Sequence, residues 1–129
     1  MTVLIAYVPR IEGQTALDKG IEMAKLLNED VLVVNASAAS GESDSIATET
    51  ELKAIEGHLA AAGIKGEVVQ FARGNTPLEE IEGLVASRRV SMLVIGLRKR
   101  SPVGKLFLGS VAQDILLNVA CPILAVKAR

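Results

Sequence analysis

The chain has 129 residues with a formal net charge of −1, and half of them are hydrophobic, so residues 1–129 can form one domain with a full apolar core. The near-neutral charge, one Tyr and two Phe argue against a nucleic-acid partner. One cysteine, no signal-peptide pattern and no apolar run of about 20 residues predict a cytoplasmic protein with no membrane partner.

Short apolar runs alternate with helical patterns along the whole chain, which is typical of βαβ units. The third run alternates polar and apolar residues, which favours an edge position. We therefore predict an α/β fold, a doubly wound five-stranded parallel sheet of order 3-2-1-4-5 with helices on both faces and a crevice between the first and fourth strands. The predicted strands are Thr2–Tyr7, Val31–Ala36, Gly66–Phe71, Ser91–Gly96 and Pro122–Lys127, and the first two predicted helices are about Gln14–Asn28 and Asp44–Ala62.

Two later helices have start signals. Thr76 is predicted to cap the third helix, with Pro77 at its first position and Glu79 completing a capping box. Ser110 and Gln113 predict a second capping box at the start of the last helix.

The residue types needed for catalysis are sparse. The only histidine, His58, is interpreted as a solvated surface side chain, and no Gly-x-Ser-x-Gly motif is present. Cys121 is interpreted as a packed, inert thiol, and one His with one Cys does not suggest a metal site. The dinucleotide and Walker A phosphate motifs are also absent. The sequence therefore predicts neither an enzyme nor a metal centre.

One constellation points to a ligand. Gly96 is predicted to close the fourth strand, and Gly109 with Ser110 opens the following helix, where free backbone N–H groups and the helix dipole favour phosphate. The alternative is that Gly109 ends a loop and Ser110 only caps the helix. Nearby basic residues are interpreted either as a solvated rim or as an anion site. They are Arg88, Arg89, Arg98, Lys99, Arg100 and Lys105.

The segment from Gly96 to Lys127 resembles the C-terminal signature of the universal stress protein family, most specifically at Leu108–Ala112 and Ala120–Leu124. ATP-binding members carry Gly-x2-Gly-x9-Gly-Ser/Thr in this loop. Gly96 and the Gly109-Ser110 pair match that pattern, whereas Lys99 replaces its second glycine. The resemblance implies a stress-response role and a nucleotide site, with ATP as the cofactor, at Gly96, Lys99, Gly109, Ser110 and Val111.

The beginning of the chain departs from the family pattern. ATP-binding members usually place an Asp after the first strand, and Val8 stands at the matching position. A valine cannot accept a hydrogen bond from the nucleoside, so we expect a degenerate pocket with weak or absent ATP binding. The alternatives are a dimeric regulatory or interaction module that binds no nucleotide and, as a third class, a slow ATP hydrolase.

The last predicted strand favours self-association. It lies at a sheet edge, both of its faces are apolar, and nothing later in the chain can cover its backbone. Many members of the resembled family dimerise through this strand. We therefore predict a homodimer whose contact centres on Leu124–Val126.

Overall fold

The computed structural model describes residues 1–37, 45–98 and 109–128. All strand pairs are parallel, and the sheet order is β3-β2-β1-β4-β5, which confirms the predicted α/β fold. The elements in chain order are β1 Thr2–Ala6, α1 Ile11–Leu27, β2 Asp30–Ala36, α2 Glu49–Ala61, β3 Gly66–Phe71, α3 Pro77–Ser87, β4 Val90–Arg98, α4 Ser110–Asn118 and β5 Ile123–Ala128.

Helices cover both faces of this sheet. Alternate residues of the central strands point to opposite faces, so β1 contributes Val3 and Ile5 to one core cluster and Leu4 to the other. Helices α1 and α2 complete the first cluster with Leu17 and Ile55, among others, and α3 and α4 complete the second. Ile115 of α4 and Val119, which follows this helix, are buried in the second cluster.

The first two helices begin at residues that differ from the predicted ones. Helix α1 starts at Ile11, three residues before the predicted Gln14. Gly13 lies inside its first turn, at a position where a Cβ would overlap the backbone of Val8. Helix α2 begins at Glu49 behind a capping box that the sequence analysis missed, in which Thr48 is the cap. The predicted start at Asp44 lies outside the described residues.

The two later helix starts differ from each other. Thr76 and Glu79 form the predicted capping box, with the Glu79 N–H donating to Thr76 Oγ1 at 3.2 Å. The second predicted box is wrong, because Gly109 is the N-cap of α4 and Ser110 is the first helical residue. Gly109 has the extended backbone of an N-cap, and its carbonyl accepts from the Gln113 N–H at 3.0 Å.

A buried amide fixes the carboxyl ends of three strands. Asn35, which is 1% exposed, donates from Nδ2 to the carbonyls of Tyr7 and Ser45 at 2.9 and 2.7 Å. Its Oδ1 accepts from the Ala47 N–H and from the Gln70 side chain at 2.9 and 2.8 Å. The ends of β1, β2 and β3 are therefore held in fixed positions beside the sheet's crevice.

Candidate functional site

Gly96 lies within β4 and does not end it as predicted. Strand β4 continues through Arg98, because β5 runs alongside it and pairs Val126 with Gly96 and Ala128 with Arg98. Close packing explains why this residue is a glycine, since a Cβ at this position would overlap the backbone of Glu12 in the first turn of α1. The first turn of α1 therefore rests directly on the last part of β4.

A cleft of about 200 Å³ opens at the carboxyl end of the sheet, where the strand order reverses between β1 and β4. This is where parallel α/β sheets bind ligands. The structure places four of the predicted site residues in its lining, namely Gly96, Gly109, Ser110 and Val111. The fifth, Lys99, lies outside the described residues.

One part of the cleft is apolar. The ends of β1 and β2 contribute Ala6, Val34 and Ala36, and α3 contributes Ile81 from its first turns. Val8 also lines the cleft, at the position where the sequence analysis noted the departure from the family pattern. An apolar surface of this kind suits the flat face of an aromatic base.

Another part of the cleft is the start of α4. The cap residue Gly109 has no side chain, and the first-turn residues Ser110, Val111 and Ala112 all line the cleft. The first N–H groups of an α-helix have no partner within the helix, and together with the dipole they attract anions. This wall of the cleft therefore suits a phosphate.

Two charged residues of the cleft, Arg10 and Glu12, were not predicted from the sequence. Glu12 is 7% exposed, and its Oε1 lies 3.5 Å from Nε of Arg10. Both of these atoms are buried and have no hydrogen-bond partner among the residues that the structure describes. A usable signal existed in the sequence, because both residues closely follow β1 and therefore lie at the ligand-binding edge of the sheet.

The predicted basic cluster is divided by the fold. Arg88 and Arg89 precede β4 and lie at its amino end, whereas Arg98 ends the strand and lines the cleft. Arg88 pairs with Glu67 at 3.1 Å, and this hydrogen bond lowers the pKa of Glu67. The remaining members, Lys99, Arg100 and Lys105, lie outside the described residues.

The two remaining candidates for chemistry lie outside the cleft. His58 is exposed, as predicted, and lines a shallow depression with Tyr7 and Glu51. Cys121 is half-buried, and burial raises the pKa of its thiol, which disfavours the reactive thiolate. Within residues 1–37, 45–98 and 109–128, no group of three or more metal-ligating side chains is found, and no helix is long and apolar enough to span a bilayer.

Comparisons with known proteins agree with the fold and with the sequence resemblance. The model of the universal stress protein family matches residues 1–127. A universal stress protein of Mycolicibacterium smegmatis is 40% identical over 126 residues, which cover 97% of this chain and 96% of the relative.

Two solved structures from Archaeoglobus fulgidus are also similar. One universal stress protein is 30% identical with a TM-score of 0.83, and 98% of each chain is covered. Another, in complex with dAMP, is 24% identical with a TM-score of 0.75 at the same coverage, which shows a shared fold. The family match along nearly the whole chain and the 40% identical relative show that this protein belongs to the universal stress protein family.

Proposed function

We propose that this universal stress protein binds an adenine nucleotide in the cleft between β1 and β4, in a cytoplasmic stress-response role. The observation that carries the proposal is that one cleft joins an apolar surface to the uncapped start of α4. The apolar surface suits the base, and the N–H groups of Ser110 and Val111 suit the phosphate. The A. fulgidus protein in complex with dAMP supports adenine nucleotides as the ligand class.

We further propose that the pocket is degenerate toward ATP. Val8 lines the cleft and offers no acceptor to a nucleoside, and in the sequence Lys99 stands where ATP-binding members carry the second glycine of this loop. A lysine side chain takes up space that a glycine leaves open for the outer phosphates. We assign binding rather than catalysis to the cleft, because its lining combines an apolar surface with the backbone donors at the start of α4.

Calorimetric titration with AMP, adenosine and Mg-ATP tests this proposal. We expect AMP to bind more tightly than either adenosine or Mg-ATP. A chain that binds none of the three would overturn the proposal and favour the dimeric interaction module. Sub-micromolar affinity for Mg-ATP would contradict the degenerate pocket alone.

Two substitutions at Ser110 distinguish the contribution of its backbone N–H to phosphate binding from that of its side chain. Ser110→Pro removes the N–H at the first helical position, where proline is well tolerated, as Pro77 shows at the start of α3. The extended backbone of Gly109 also suits a residue before proline. Ser110→Ala removes only the hydroxyl. We expect Ser110→Pro to weaken AMP binding about tenfold or more without affecting adenosine, whereas Ser110→Ala retains most of the affinity.

We also propose the homodimer through β5, which lies at an edge of the sheet. The Pro122 carbonyl accepts from the Leu93 N–H at 2.9 Å. Because bonding alternates along a strand, Leu124 and Val126 then bond toward β4, and Ala125 presents its N–H and C=O to the open edge. Pairing with a second copy would satisfy these groups.

Light scattering of two variants tests the dimer. Ala125→Pro removes the outward N–H and should give a monomer, whereas Ala125→Thr keeps the N–H and should remain dimeric. An unmodified protein that is monomeric at tens of micromolar, roughly the regime of a weak interface, would overturn this part of the proposal.

A further inference from the structure

The apolar part of the cleft is built on two strand ends that extend past their backbone pairing. The register between β1 and β2 ends at Ala6 and Val34, and the Tyr7 N–H donates to the Val34 carbonyl one residue later. Val8 and Ala36 lie further along the two strand ends, and both line the cleft. Beyond the backbone ladder, the separation of these two strand ends depends on side-chain contacts.

Asn35 joins the two strand ends from behind the apolar wall. Because side chains alternate along a strand, Asn35 points away from the face on which Val34 and Ala36 line the cleft. Its Nδ2 donates to the Tyr7 carbonyl at 2.9 Å, one residue beyond the last register pair. Asn35 is 1% exposed, so it acts on the wall through Tyr7 rather than by touching a ligand.

The hydrogen-bonding capacity of the Asn35 side chain is fully used. Its Nδ2 also donates to the Ser45 carbonyl at 2.7 Å. Its Oδ1 accepts from the Ala47 N–H at 2.9 Å and from Gln70 Nε2 at 2.8 Å. A side-chain amide has two N–H donors and two acceptor lone pairs, so these four bonds permit one orientation only. The amide therefore holds the Tyr7 carbonyl at a fixed position relative to β2.

We propose that Asn35 is a positioning residue for the nucleotide base, because it sets the separation of the strand ends that form the apolar wall. This inference rests on the proposed nucleotide function and assigns the part of the ligand that depends on Asn35. Without the bond to Tyr7, the wall would hold its binding arrangement for only part of the time, and affinity falls in proportion to that fraction. The backbone donors at the start of α4 belong to a separate element and keep their positions.

Calorimetric titration of adenosine and AMP against Asn35→Asp tests the assignment. The change keeps the side-chain volume and the Oδ1 acceptor, but it places an oxygen opposite the carbonyls of Tyr7 and Ser45. We expect adenosine and AMP each to bind about tenfold more weakly, so that the ratio of their affinities is unchanged. A loss shared by both ligands differs from the loss expected for Ser110→Pro, which concerns AMP alone.

Two further variants separate positioning from a general loss of stability. Leu59→Ala shortens a side chain of α2 that is 2% exposed and packs against Gly66, the first residue of β3, at the opposite end of the sheet. It should lower the melting temperature and leave both affinities unchanged. Gln70→Glu changes an exposed residue and removes the donor to Asn35 Oδ1, so it should weaken both ligands by a common, smaller factor.

Each result decides the matter. Unchanged affinities in folded Asn35→Asp, a loss confined to AMP, or an equal loss in Leu59→Ala overturns the positioning role and leaves nucleotide binding intact. If Asn35→Asp does not fold, as thermal melting would show, Gln70→Glu decides, and unchanged affinities in that variant overturn the role. If the unmodified protein binds neither adenosine nor AMP, the proposed function fails and this inference fails with it.

Discussion

Helices α3 and α4 pack on the same face of the sheet and both line the cleft, yet they begin in opposite ways. The first turn of α3 is closed by its own side chains, since Thr76 and Glu79 satisfy each other's backbone N–H groups. Helix α4 begins at Ser110, and its N-cap residue Gly109 has no side chain that could accept from the first N–H groups. The difference indicates that α3 supports the cleft, whereas α4 presents its backbone donors to it.

A second contact strengthens the contrast. Arg73 forms two hydrogen bonds to Glu80, at 2.7 and 2.8 Å, and lies over the ring of Phe71. Glu80 is 5% exposed and belongs to the first turn of α3. The α3 wall thus depends on side-chain contacts, while the α4 wall depends on bare backbone at Gly109 and, on the strand before it, at Gly96.

The largest effect on stability is expected at Gly96, where the close packing leaves no room for a side chain. Gly96→Ala places a Cβ into the Glu12 backbone and should lower the free energy of unfolding by about 3 kcal/mol. The matched change in α3 is Gly83→Ala, where the new Cβ meets no atom. Because alanine favours a helix interior over glycine, this change should raise the free energy of unfolding by about 0.5–1 kcal/mol. Urea unfolding of both variants measures the difference. Equal effects would mean that the close approach at Gly96 is relieved by movement of α1.

The next effect compares the two helix starts directly. Thr76→Ala removes a side-chain cap and should lower the free energy of unfolding by about 1 kcal/mol. Ser110→Ala should change it by less than about 0.5 kcal/mol, because Ser110 is not the cap and its side chain is exposed. Thermal and urea unfolding provide the comparison. A loss of 1 kcal/mol in Ser110→Ala would show that the hydroxyl stabilises α4 in solution.

The sequence predicted the elements whose signals are local. The β-branched runs identified all five strands, and the Thr-Pro-x-Glu pattern located the start of α3 correctly. Errors arose where a contact distant in sequence decided the outcome. Gly96 looked like a strand end, but the pairing of Val126 on β5 extends β4 past it. Gly13 precedes the predicted helix, but it belongs to the first turn of α1, where the close approach of Val8 leaves no room for a Cβ.

The lining of the candidate cleft was predictable to a similar extent. Its glycine-bearing wall was found because strand, loop and helix start follow one another along the chain. The apolar wall was missed because β2 and α3, which supply Val34 and Ile81, are distant from α4 in sequence. The Arg10 and Glu12 pair was missed because only burial distinguishes it from ordinary surface charges.

The smallest effect is a loss of stability at acid pH, which is expected at the start of α3 but not at the start of α4. The hydrogen bonds from Arg73 lower the pKa of Glu80, and those from Thr76 lower the pKa of Glu79. Since these pKa values are lower in the folded state, the contribution to stability is present above the ordinary value of 4.5 and is lost as the pH falls through the lowered values. The first turn of α4 holds no acidic residue, so its start should not respond.

Nuclear magnetic resonance titration from pH 6 to pH 3 would follow this difference at the first-turn amides of both helices. We expect the α3 amides to titrate with midpoints below 4.5. Glu80→Gln should remove one of these steps and flatten the fall of the urea midpoint in acid, but only slightly, because Arg73 is mostly exposed and water screens the pair. Glu82→Gln, an exposed change on the same helix, is the control. An equal acid response at the start of α4 would contradict the distinction between a helix start closed by its own side chains and one left open for a ligand.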